Sequence, residues 1–130
     1  MFYISGFYKF KKIYRIKKAK KSLADIFFKY KIRGTIIISY EGINGTISSN
    51  KKNLKIVINK IKINFNFKKF DSESLSTNKF QIFHKCKVKI KKEVVPMGIK
   101  VKKRKTQKHL EPRQWNKFIS NKKTILIDAR

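Results

Sequence analysis

The side chains able to do covalent chemistry are few. One cysteine, Cys86, lies two residues from His84; the chain has one other histidine, His109, and seven carboxylates. A single cysteine excludes an internal disulfide and a multi-cysteine metal centre, and two distant histidines supply no metal set. A Cys–His pair becomes a nucleophile when the imidazole takes the thiol proton. Alternation along Phe80 to Val95, however, puts Cys86 on a face with Val88 and Ile90, as a small buried hydrophobe. Glu41 has no second carboxylate nearby for acid–base work and is read as part of a turn. No cofactor and no metal are expected.

The stronger feature is a row of cations. Lys85, Lys87, Lys89 and Lys91 alternate with apolar residues, Lys92 follows, and Lys102-Lys103-Arg104-Lys105 lies downstream. Such a row can track an RNA backbone, positioning it without reading bases. It can equally be the solvated face of an edge strand, where lysine discourages aggregation. Phe83 shares the face, either to stack on a base or to pack.

Composition points the same way. The formal net charge is +28, from 35 basic and 7 acidic residues, and such a surface attracts RNA, DNA and anionic lipid by counterion release. Only five of the basic residues are arginine, and the chain is dense in Ile, Asn, Phe and Tyr. That is the bias of an AT-rich genome, so selection and codon drift both stand as sources of the charge. Hydrophobic residues make up 41%, enough for a core. No apolar run approaches the roughly 18 to 20 residues that span a bilayer, and Met1 to Phe10 has no signal-peptide layout. A cytoplasmic protein with no membrane partner is expected.

The elements that must position these residues follow from periodicity. Phe2 to Phe10 alternates as a strand with Phe2, Ile4, Tyr8 and Phe10 on one face and Gly6 as a bulge or close-contact point. A helix begins between Lys17 and Ser22, with Leu23, Ile26, Phe27 and Tyr30 at i, i+3, i+4 and i+7. Ser22 and Asp25 form a capping pair for a late start, and Gly34 serves as the stop. Thr35 to Ser39 and Gly45 to Ser49 are strands, joined by a reversal at Asn44-Gly45. Asn50 caps a second helix whose buried side is Leu54, Val57, Ile58 and Ile61. Asn64 to Asn78 reads as the loosest stretch. Phe80 to Val95 is the last strong strand. Residues 99 to 110 form a basic linker, Glu111-Pro112 opens a short helix around Trp115, Phe118 and Ile119, and Thr124 to Ile127 is a new strand without a partner.

This order predicts an α+β, ferredoxin-like βαββαβ antiparallel sheet with two helices on one face. The domains expected are 1–98, ferredoxin-like and acylphosphatase-like, and 99–130, the linker and the start of a second domain.

The string Glu41-Gly42-Ile43-Asn44-Gly45-Thr46 resembles the signature of the bacterial tRNA uridine hydroxylase family, which joins a ferredoxin-like N-terminal domain to a rhodanese domain. Phe7 to Phe10, Lys87 to Gly98, Glu111 to Asn116 and Thr124 to Arg130 are similar to further segments of that family in the same order. The resemblance makes Glu41, Gly42, Asn44 and Gly45 the signature turn. It implies a tRNA-positioning role for the first domain, with Lys85, Lys87, Lys89, Lys91 and Lys92 as RNA contacts. It also implies oxygen-dependent hydroxylation of the wobble uridine, carried by a cysteine in a rhodanese loop. The chain stops at the first rhodanese-like strand, so it is expected to be inactive alone, its partners being tRNA and a separate rhodanese-domain chain. The competing reading is a non-catalytic basic RNA-binding module. An acylphosphatase-type hydrolase is disfavoured because Lys11 to Arg15 lacks the glycines of a phosphate-cradling loop. Membrane-surface binding through Lys11 to Tyr30 is disfavoured because its apolar face is needed by the sheet.

Overall fold

The computed structural model describes residues 1–95 and 110–127. The chain divides into two compact units, Met1–Gly98 and Ile99–Arg130. In the first, the order is β1 (Phe2–Phe10), α1 (Ile16–Lys29), β2 (Arg33–Ser39), β3 (Gly42–Ser49), α2 (Lys51–Asn64), β4 (Ser72–Asn78) and β5 (Cys86–Ile90). The strands form one sheet in the order β4-β1-β3-β2-β5. All neighbours are antiparallel except β2 and β5, which run parallel. The ferredoxin-like arrangement is therefore present, extended to a mixed five-stranded sheet.

The core lies between the sheet and the helices. Leu23 and Phe27 of α1, and Leu54, Val57, Ile58 and Ile61 of α2, are buried against Phe7, Ile36, Ile38, Ile43 and Ile47. Each such side chain contributes about 1.5–3 kcal/mol by leaving water. Asn50 caps α2, its side chain accepting from the Asn53 N–H at 2.8 Å. The helical faces are those expected from spacing. The start of α1 is earlier, at Ile16, so Ser22 and Asp25 lie inside the helix and cap nothing. Nor is Gly34 the stop. Lys31 takes the left-handed φ of 50°, and the Ile32 N–H returns to the Phe27 carbonyl at 2.9 Å, while Gly34 already belongs to β2.

β1 keeps its expected span and alternation, whereas β4 is a strand that periodicity does not announce. In β1 the helix-facing side is Tyr3, Ser5 and Phe7, with Phe7 stacked on Phe70. Phe2, Ile4, Tyr8 and Phe10 face the other way. β4 falls within the stretch read as loose: Ser72 to Asn78 pairs along β1, and all but its last residue are exposed. An edge strand held by backbone hydrogen bonds needs no apolar alternation, so periodicity does not reveal it. Conversely, Phe80 to Lys85 is not strand; only Cys86 to Ile90 pairs with β2.

In the second unit, α3 (Pro112–Ile119) has Pro112 in its first turn, and the Gln114 side chain accepts from the Glu111 N–H at 3.2 Å. Thr124 to Ile127 is not a strand, for no described strand pairs with it. The segments Pro96-Met97-Gly98, the linker with its Lys102 to Lys105 run, and Asp128 to Arg130 lie outside the described residues.

Asp71 ties the start of β4 to the end of β1. Its carboxylate accepts from Lys9 Nζ at 2.6 Å and from the Phe10 N–H at 2.7 Å. These hydrogen bonds, Lys9 first, hold its pKa below the ordinary value. A depressed folded pKa stabilises the fold above the unfolded value near 3.8, and that contribution is lost as pH falls through the folded pKa. Asp71→Asn is expected to cost about 1 kcal/mol at neutral pH, discounted for solvent exposure. The difference from wild type should vanish in acid, as checked by urea unfolding across pH.

Candidate nucleic-acid interface

The helices cover one face of the sheet, and the other face carries the candidate site. Register defines it residue by residue. Tyr8, Asn44, Ile37 and Lys89 stand side by side across β1, β3, β2 and β5, and Gly6, Thr46, Thr35 and Lys87 form the adjacent row. Ile4, Ser48 and Arg33 make a third. On β4, Ser72, Ser74 and Ser76 extend these rows. No strand residue on this face is acidic; Glu73 faces the other way and pairs with Lys62 of α2 at 3.2 Å.

Of the lysine row, Lys87 and Lys89 lie within β5 and project on the helix-free face. Lys85 and Lys91 flank the strand: the Lys85 carbonyl accepts from the Gly34 N–H at 2.9 Å, and the Lys91 N–H donates to Ile38 at 3.0 Å. Lys92 follows, and all five side chains are exposed. Phe83 is half-buried ahead of the strand.

The signature residues are organised differently from the expected turn. Asn44 and Gly45 lie inside β3, and the reversal is made by Tyr40 and Glu41. Ser39 pairs with Gly42 across it, and the Ser39 hydroxyl accepts from the Glu41 N–H at 3.1 Å. Neither turn residue needs a positive φ; Gly42 takes it, at 154°. A Cβ there would meet the Lys9 carbonyl at 2.0 Å, and one at Gly45 would meet Ile36 Cγ1 at 2.6 Å. The Asn-Gly pair gave a turn signal in sequence because the residue types suit one; the glycine here answers instead to close strand packing.

Glu41 has a structural partner far along the chain. Its carboxylate accepts from the Val94 N–H at 2.6 Å, and Val94 is fully buried. The bond ties the end of the basic segment to the β2–β3 turn. Only the 53-residue separation hid this role from sequence reasoning.

Cys86 is exposed rather than buried. As the first residue of β5 it lies beyond the part of the strand that Val88 packs on the core. Partial desolvation pushes its thiol pKa up from the ordinary 9.0, so the thiolate is disfavoured and no nucleophile is prepared here. No cluster of three or more metal-ligating side chains occurs among the described residues, and no described helix is long and apolar enough to cross a membrane.

Residues 2–94 match the family described as UPF0176 acylphosphatase-like domain. A protein of Pelagibacter ubique named tRNA uridine(34) hydroxylase is 56% identical over the whole chain. One of the same name from Acinetobacter baumannii (strain AYE) is 34% identical over 98% of it. The chain spans 44% and 40% of the length of these two relatives. Among solved structures, a bacterial light-regulated adenylyl cyclase overlays on 69% of this chain and 28% of its own, with a TM-score of 0.53 at 10% identity; the likeness is one of fold.

Two outcomes test this geometry. Glu41→Ala should lower stability by about 1.5–3 kcal/mol through loss of a charge-assisted hydrogen bond and speed hydrogen exchange at Val94, with Glu41→Gln closer to wild type. Iodoacetamide should alkylate Cys86 more slowly than an unstructured cysteine peptide at neutral pH, the two rates converging once pH exceeds both pKa values.

Proposed function

The chain belongs to the family of UPF0176 acylphosphatase-like domains, and from that membership we propose that it is the tRNA-positioning part of a tRNA uridine(34) hydroxylase. Relatives of that name align along 98–100% of the chain. The observation that carries the positioning role is the basic edge of the sheet. Lys87 and Lys89 project from β5 onto a face none of whose strand residues is acidic, continued by Lys85, Lys91 and Lys92. Ammonium groups on a rigid strand meet phosphates at fixed spacing and hold the tRNA in register without reading its sequence. Glu41 and the two glycines act on this edge indirectly, by fixing the hairpin against which β5 lies.

In this reading, hydroxylation of the wobble uridine is performed by residues other than those described. Cys86, with its raised pKa, has no part in it. The second unit is read as the entry into a rhodanese-like domain, supplied on the same chain or by a separate one. The site of action is the cytoplasm, where tRNA is modified.

The test is tRNA binding across a salt series. Lys87→Ala with Lys89→Ala should weaken binding several-fold and make the salt dependence shallower by about 1–2 in log–log slope. Lys20→Ala with Lys52→Ala, on the helices, removes equal charge and should change binding little. Equal losses from both pairs would reduce the interaction to net charge and overturn the positioning role.

A further inference from the structure

Lysines account for phosphate contacts, but they leave the aromatic part of the same face unexplained. Tyr8 and Phe10 project from β1 on the side away from the helices, 38% and 49% exposed. Their ring centroids are 5.7 Å apart, edge to face at 66°. Tyr8 is flanked on both sides, by Asn44 of β3 and Ser72 of β4, and Phe10 on one, by Gly42 of β3; the core cluster contains neither. Two exposed aromatics on an inner strand therefore cost solvation without serving the described core.

Their neighbours define what would cover them. Tyr8 lies in one row with Asn44, Ile37 and Lys89, the tyrosine and the lysine three strand spacings or ~14 Å apart. The row offers, in order, a π-face, an amide, an apolar contact and a cation, beside a strip of Ser and Thr hydroxyls. An apolar protein partner would have to desolvate those hydroxyls and the lysines. A duplex presents phosphates but no free base faces. Unpaired nucleotides present both, and a sheet that stacks bases on exposed aromatics while cations follow the backbone suits them.

We propose that the helix-free face of the sheet binds an unpaired segment of RNA, with one base stacked on Tyr8, the next on Phe10, and the backbone running toward Lys87 and Lys89. This rests on the tRNA-positioning reading and sharpens it: the bound part of the tRNA is a single-stranded loop, not a helical stem. Asn44, half-buried between ring and lysine, is placed to hydrogen-bond a base edge.

The full chain is titrated with a fluorescein-labelled oligouridylate and with an RNA duplex of equal phosphate number, and the complexes are cross-linked by ultraviolet light. The single strand should bind about tenfold more tightly than the duplex, with cross-links at Tyr8 or Phe10. Tyr8→Leu with Phe10→Leu, which keeps apolar bulk and is checked by thermal melting, should lose about tenfold per ring and leave the salt slope unchanged. Tyr8→Phe should bind as wild type. Equal affinity for duplex and single strand, or an aromatic double variant that binds normally, overturns the stacking platform. So does a dimer of this chain that shields the two rings. If tRNA binding still depends on Lys87 and Lys89 in those cases, positioning survives and only the platform falls. If neither RNA binds above a charge-matched basic protein, both fall.

Discussion

The sheet closes only because β3 can lie against β1 and β2 with no side chain at two positions. A Cβ at Gly42 would sit 2.0 Å from a β1 carbonyl, and one at Gly45 would meet Ile36 of β2 at 2.6 Å. Contacts this short cannot be relieved by rotating a side chain at the first position, where the obstacle is backbone. Every other strand takes its place from β3. β1 carries β4 outward on one side, and β2 carries β5 on the other. The glycines of the signature therefore set the position of lysines more than 40 residues later, through backbone pairing rather than contact.

A second constraint divides the two faces. The helices take the isoleucine-rich side and leave a surface of hydroxyls, amides, aromatics and ammonium groups. None of the strand residues on that surface is acidic, and three carboxylates near it are engaged elsewhere: Glu73 pairs toward α2, Asp71 is held by Lys9, and Glu41 is turned to Val94. With a chain this basic, charge alone would give a diffuse attraction for any polyanion. Strand register converts it into spaced rows, and that difference is between adhesion and orientation.

The helices were legible in the sequence because 3.6-residue spacing and the Asn50 cap are local signals, and Leu23, Phe27, Leu54 and Ile61 fall where spacing put them. The ferredoxin-like order was legible too, together with the resemblance of the Glu41 to Thr46 string. What was hidden is non-local. β4 has no apolar period because its outer edge faces solvent and β1 supplies its order. The alternation of β1 was legible, with Phe2, Ile4, Tyr8 and Phe10 on one face, but not that this face points away from the core. Asn44-Gly45 carries turn-forming residue types for a packing purpose, and Cys86 lies at a strand end where alternation no longer implies burial. The lysine row was visible as a row, but its neighbours across the sheet appear only in register.

The placement of β1 has a consequence for synthesis. Among the strands of the sheet it is made first, yet its partners are β3 and β4, and the outer pair of β2 waits for β5. At 5–20 residues per second, the roughly 60 residues separating β1 from β4 take about 3–12 s to make. Until β3 and then β4 are made, Phe2 to Phe10 carries unpaired backbone edges and five aromatic rings. Lysines interspersed through the nascent segment keep such chains apart by repulsion. The same charge that underlies the proposed RNA contact would also protect the chain while its sheet is incomplete.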